Sequence, residues 1–142
     1  MKRFHAFTIS YNTIVEQIKH DITLFDKSRE IIVPGMWDTG ATNTCISHNV
    51  VDQFGLIPKE QINVMNSGGI CKQNTYVISI RLSDINIIDL PVIESEIHLQ
   101  GIDVLIGMDV INRGDMSISN FDGKTTFSFR CPSCGTIDYC IK

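Results

Sequence analysis

"MWDTGATNTCIS", residues 36–47, sets a carboxylate, a glycine and four hydroxyl side chains (Thr39, Thr42, Thr44 and Ser47) at the end of the apolar run "EIIVPGMW", residues 30–37. The run reads as a buried strand. Pro34 within it calls for an edge position or a bend, because proline has no N–H to give to a ladder. Gly40 permits a tight turn and the close approach of a second backbone. Local N–H and hydroxyl groups can then hold Asp38 at the mouth of an apolar core, poised for acid–base work on a water. A lone Asp-Thr-Gly reads first as a plain capped turn, and only its company raises it above that.

Outward from the turn the dominant pattern is strand. "FHAFTIS" (4–10) and "ITLFD" (22–26) are strand-like, and "YVISIRL" (76–82) alternates cleanly, with Tyr76, Ile78, Ile80 and Leu82 on one face. "INII" and "LPVI" within 85–93 continue the pattern, and "DVLIG" (103–107) has the look of a short strand buried on both faces. In "SISNFDGKTTFSF" an Asp-Gly pair separates two strand-like runs, a strong hairpin cue. Helix is predicted in two places only. In "SHNVVDQFG", Ser47 is a good N-cap and Gly55 a good stop; "GMDVINRG" allows a turn or two from Asp109 to Arg113. The sum is a mostly β domain, most simply a closed or sandwiched β-barrel. No repeat or linker interrupts residues 1–130, and residues 131–142 form a cysteine-containing C-terminal tail.

A chain of 142 residues with 43% hydrophobic and 20% charged residues suits one domain with a proper core. Its formal charge of −4 gives no electrostatic reason to bind nucleic acid or an anionic membrane. No apolar stretch approaches the roughly 20 residues of a membrane span. The run behind "MKRFHAFTISYN" is too short and too interrupted for a signal peptide. A cytoplasmic location is therefore expected.

Five cysteines, Cys45, Cys71, Cys131, Cys134 and Cys140, are an odd and unevenly spread set, which argues against a disulfide framework. Cys131-Pro132-Ser133-Cys134 is a CxxC knuckle with Cys140 shortly after it. Thiolates at that spacing suit tetrahedral zinc. The fourth ligand of such a structural zinc is open among Asp138, Cys71, a histidine or another chain; the alternative is a reduced, redox-labile or removable tail. Cys45 and His48 stand at the spacing of neighbours on a helical turn, but without a third group to orient them Cys45 reads as a small buried residue.

The opening stretch and "DVLIGMDVI" (103–111) together resemble the retroviral-type, or retropepsin-like, aspartic proteases, single-domain enzymes with retroviral, cellular and bacterial members. The family pattern runs from an apolar strand through Asp-Thr-Gly-Ala to a helix, then a flap hairpin with glycine at its tip, then two apolar residues and a glycine before a short helix. Asp38-Thr39-Gly40-Ala41, "SHNVVDQFG", "MNSGGICK" and Leu105-Ile106-Gly107 supply these parts in order, within roughly residues 4–129. Met108 and Asp109 bring the likeness closer to the cellular and bacterial members. Trp37 stands where the family usually has a smaller apolar residue, so the floor of the site is expected to be repacked.

The resemblance implies a closed acid-protease-like β-barrel with a flap hairpin and one or two short helices. It implies an aspartic endopeptidase in which Asp38 is catalytic and Thr39, Gly40 and Ala41 support the catalytic turn. Leu105, Ile106 and Gly107 would be the scaffold beneath, and Gly68 and Gly69 the flap over a peptide or protein substrate. No cofactor is needed for catalysis. Aspartic proteolysis uses two carboxylates that share a proton, and this chain has one Asp-Thr-Gly. Asp84, Asp103 and Asp109 lack that context, and Asp109 could instead cap the short helix. The second carboxylate is thus expected from Asp38 of a second copy, in a homodimer whose contacts include the turn, the flap tips and the strand ends "FHAFTIS" and "TTFSF". The alternative is a non-catalytic peptide-binding or dimerisation module on the same fold, although an intact Asp-Thr-Gly favours the enzyme.

Overall fold

Alternation of apolar residues decides which strand faces line the core. The computed structural model describes residues 5–141, so Phe4 of the expected first strand and the outer ends of the expected 1–130 domain and 131–142 tail lie outside the described residues. The chain opens with β1 (His5–Ser10), β2 (Lys19–Phe25) and β3 (Glu30–Trp37), and β4 (Cys45–Ile46) leads into α1 (His48–Phe54). The strands β5 (Glu60–Asn66), β6 (Gly69–Leu82) and β7 (Ile85–Glu94) follow as successive antiparallel neighbours. After them β8 (Val104–Ile106) leads into α2 (Met108–Ile111), and β9 (Asp115–Ser119) and β10 (Thr126–Cys131) come last.

Seven strands form one sheet in the order β2-β3-β8-β4-β7-β6-β5, and β2 also pairs with β6 through Leu24 opposite Ile80. The sheet therefore closes into a ring, from which β5 projects as the outer arm of the β5–β6 hairpin. A separate sheet, β1-β10-β9, stands outside it. "TTFSF" lies in the middle strand of that sheet and pairs on both sides, so its backbone is not open to a second copy, a correction to the expectation that this strand end is a dimer contact. The free edges are β1 and β9.

Ile22, Leu24, Ile46, Ile80, Leu82 and Ile106 fill the ring at almost no exposure, and Phe127 and Phe129 of β10 bind the second sheet to the same core. Each such side chain contributes about 1.5–3 kcal/mol by leaving water. The α1 helix begins where Ser47 Oγ accepts the Val50 N–H at 3.3 Å, and it ends at Gly55 in the left-handed conformation. Pro34 sits in β3 just before pairing with β8 begins, and its carbonyl accepts the Asp103 N–H at 2.8 Å. Its missing N–H is thus outside the ladder. The Asp-Gly hairpin is present but longer than a two-residue turn, because Thr125 is tied to the 11–15 segment: its N–H donates to Thr13 O and its Oγ1 accepts the Val15 N–H. No helix among the described residues is long and apolar enough to cross a membrane.

The consequence for function lies in one pairing. Strands β3 and β8 run parallel, with Trp37 opposite Ile106. Asp38 and Gly107, the next residue of each, therefore leave the sheet side by side.

Candidate active site

The Asp38 N–H donates to the Ile106 carbonyl at 2.8 Å, the last bond between the two strands. The half-buried Asp38 side chain turns back on its own loop, where Oδ1 accepts the Gly40 N–H at 2.8 Å. Ala41 N–H closes the turn on Asp38 O at 3.2 Å. Thr39 and Gly40 are exposed beside the carboxylate. A Cβ on Gly40 would lie 3.1 Å from Asp38 Oδ1, so the absent side chain leaves the carboxylate uncrowded.

The second loop holds the first from beneath. Met108 N–H donates to Ala41 O at 2.8 Å and Asp109 N–H to Thr42 O at 3.2 Å. Gly107 N–H donates to the buried Thr44 Oγ1 at 3.2 Å. A Cβ on Gly107 would come within 2.7 Å of Asn43 C and O and 2.9 Å of Ala41 O, so only glycine lets the two backbones approach this closely. Leu105 packs with Met36, Ile97, Ile102 and Ala41 in a small cluster, while Ile106 points into the main core.

Among the described residues three concavities border the turn, one of them between Thr39 and the 133–137 tail. A second, of about 410 Å³, is bounded by Asp38, Thr39, Trp37, Met36, Ile18 and Met116, among others. Another, of about 460 Å³, lies between residues 40–45 and the 62–65 stretch of β5. The 62–65 stretch of the β5–β6 hairpin thus faces residues 40–45 across this concavity; Ser67 and Gly68 form the hairpin's loop, and Gly69, at φ 113°, opens β6.

These features point one way: an aspartate after a strand, clasped by a glycine loop and faced by a hairpin. The sequence family described as "gag-polyprotein putative aspartyl protease" matches residues 30–113. The chain belongs to this family. No curated protein matches it in sequence. Among solved structures it is similar to a retropepsin-like aspartic protease from Rickettsia conorii, at 12% identity and a TM-score of 0.59, covering 91% of this chain and 96% of that one. It is also similar to the EIAV protease complexed with the inhibitor HBY-793, at 13% identity and a TM-score of 0.53, covering 72% of this chain and 91% of that one. The retroviral protease-like domain of Ddi1 from Leishmania major is 18% identical at a TM-score of 0.49, with 73% and 82% covered. At these identities the likeness is one of fold.

Within this aspartyl protease fold, Asp38, Thr39, Gly40, Ala41, Leu105, Ile106 and Gly107 come together in one contiguous unit. The cysteine tail does not gather in the same way. Among the described residues no three His, Cys, Asp or Glu side chains form a group able to hold a metal ion, so Cys131, Cys134 and Cys140 are not brought together as zinc ligands. A carboxylate organises the knuckle instead: Asp115 accepts from Ser133 Oγ at 2.6 Å, Cys134 N–H at 3.0 Å and Arg130 Nε at 2.7 Å. Cys131 ends β10, its thiol directed at Arg113 O.

Cys45 is not an activated nucleophile. Burial pushes its thiol up to about 11, helped by the charges of Asp109 and Asp38, and the thiol donates to Asn43 O. His48 is engaged elsewhere, with its Nδ1 on Glu94 Oε2, a bond that raises its pKa.

Two residues matter more than their sequence context suggested. Asp109, read as a helix cap, reaches across to the turn and accepts Thr44 Oγ1–H at 2.7 Å and Thr44 N–H at 3.0 Å. His20, one of several scattered histidines, accepts the Trp37 Nε1–H at 2.7 Å. No local pattern marks either partnership; each joins residues distant in sequence.

Proposed function

We propose that the chain is an aspartic endopeptidase, active as a homodimer in which two Asp38 carboxylates, one per chain, activate a single water. What supports this most is the turn itself, where Asp38 is aimed by the Gly40 N–H while Thr39 and Gly40 stay exposed for a second copy. The other aspartates considered are already committed: Asp84 to His5, Asp103 to Ser47 and Asp109 to Thr44. A partner chain is the natural source of the second acid, because a two-fold axis presents the same patch from each subunit.

In that dimer one carboxyl keeps a proton and polarises the scissile carbonyl, while the other, ionised, takes a proton from the attacking water. The pair titrates as a unit, and loss of the shared proton ends activity on the alkaline side. Thr39 would bond across the axis between the two turns, and Ala41, Leu105, Ile106 and Gly107 would hold each turn in place. The hairpin around Gly68 and Gly69 would act as the flap, binding an extended peptide by strand-like backbone bonds. Carboxylates alone activate the water, so no cofactor takes part.

Cleavage of a peptide library by wild type and by Asp38→Asn tests the reading. Asparagine keeps the shape and cannot act as a base, so the rate should fall at least about 100-fold with the fold retained. Equal rates would remove Asp38 from the chemistry. Peptide binding without any cleavage by wild type would favour the non-catalytic module.

A further inference from the structure

The residue before Asp38 is held by an imidazole. Trp37, the chain's one tryptophan, is buried against Phe127 and Phe129, with ring centroids 4.8 and 4.9 Å away. Its Nε1–H donates to His20 Nε2 at 2.7 Å, edge to edge, with the two ring planes 26° apart. The other imidazole nitrogen, Nδ1, lies 3.0 Å from the Asp21 carbonyl. A carbonyl oxygen only accepts and an indole N–H only donates, so His20 carries its single proton on Nδ1 and offers a lone pair at Nε2. An imidazolium cannot satisfy both partners. Its second proton would meet the indole N–H donor to donor.

The surroundings favour the neutral ring. Lys19 and Asp21 flank it on β2, and Glu16 lies in the segment before that strand; β1 presents Phe7, with β3 contributing Trp37. Burial draws the His20 pKa below its ordinary value against the opposing pull of the Asp21 carbonyl and charge. The mechanical link to the site is short, since Trp37 pairs with Ile106 and the next N–H, that of Asp38, bonds the Ile106 carbonyl. Trp37 and Asp38 also line the same cavity.

We propose that His20 is a positioning residue for Asp38: as a neutral acceptor it pins the Trp37 indole that floors the site, and its protonation releases that floor and lowers cleavage on the acid side. The cleavage half rests on the proposed role of Asp38; the His20–Trp37 switch does not.

Because Trp37 is the one tryptophan, its fluorescence reports on the switch directly. The titration is run from about pH 8 to about pH 4 in an Asp38→Asn background, so that the neighbouring carboxylate contributes nothing, with circular dichroism to follow folding. The emission should change with a midpoint below about 6.5 while the fold persists. His20→Gln, whose amide oxygen accepts from the indole at every pH, should abolish that change. In the chain that retains Asp38, His20→Gln should carry kcat to lower pH with little change in KM. The same emission change in His20→Gln, or none in the His20 protein before unfolding, would overturn the switch. If His20→Gln does not fold, the single indole N–H resonance of the His20 protein decides, and a resonance unmoved across this range overturns the proposal. A chain that never cleaves peptide removes the role of Asp38 and the cleavage half, while the fluorescence still settles the His20–Trp37 half.

Discussion

Thr44 and Asp109 clasp each other across two loops, the Thr44 hydroxyl at 2.7 Å from one carboxylate oxygen and the Thr44 N–H at 3.0 Å from the other. Thr44 belongs to the stretch that follows Asp38, and Asp109 to the helix that follows Gly107. The same hydroxyl accepts the Gly107 N–H, so one side chain joins both motifs. Replacing Thr44 by valine keeps the shape and removes both hydroxyl bonds. Bonds to a charged group contribute roughly 1.5–3 kcal/mol, and Thr44→Val should lose about that much in urea unfolding. Thr44→Ser should recover most of it. A valine variant as stable as wild type would show that the clasp contributes nothing.

Gly107 makes a sharper prediction. A methyl there would press on the backbone at Asn43 and Ala41 rather than on a movable side chain. Gly107→Ala should destabilise the fold by at least about 1–3 kcal/mol, the usual cost of overpacking. It should also depress cleavage, because the loop that must shift carries Asp38. A melting temperature equal to that of wild type would contradict the close approach of the two loops.

The tail should respond to Asp115 and not to chelator. Three donors, Ser133, Cys134 N–H and Arg130, hold the Asp115 carboxyl down to about 2. A carboxyl whose folded pKa is depressed gives its stabilisation fully above the ordinary value near 3.8, and loses it as pH falls through the folded value. The hold on residues 133–134 should therefore be full in neutral and weakly acid solution, begin to weaken as pH falls below the ordinary value near 3.8, and be lost as pH falls through about 2. Asp115→Asn should expose the tail to limited proteolysis at neutral pH, while a chelator leaves both tail and cleavage unchanged. Stoichiometric zinc in the purified protein would contradict this account of the knuckle.

Much of this was legible because the governing interactions are local. Alternation in 76–82, the Ser47 cap and the Gly55 stop of α1 each depend on neighbours within a few residues, and all were readable in the sequence. Leu105 and Ile106 were legible as a strand buried on both faces. The pairing of Thr44 with Asp109 and of Trp37 with His20 was not, since only the parallel placement of β3 beside β8 and the antiparallel one of β2 beside β3 brings those side chains together. The cysteine tail misled for a related reason. Thiol spacing is visible in a sequence, whereas the Asp115 carboxylate that organises the knuckle lies on a different strand.

The central claim, one carboxylate per chain and two per site, is tested most directly by mixing subunits. Wild-type and Asp38→Asn chains are exchanged at a fixed total concentration well above dimer dissociation, and cleavage is measured against the wild-type fraction. If a site needs both aspartates, mixed dimers are inactive and the rate follows the square of that fraction. A rate that falls only in proportion to the fraction, or a strictly monomeric species that keeps full activity at every dilution, would contradict the shared site.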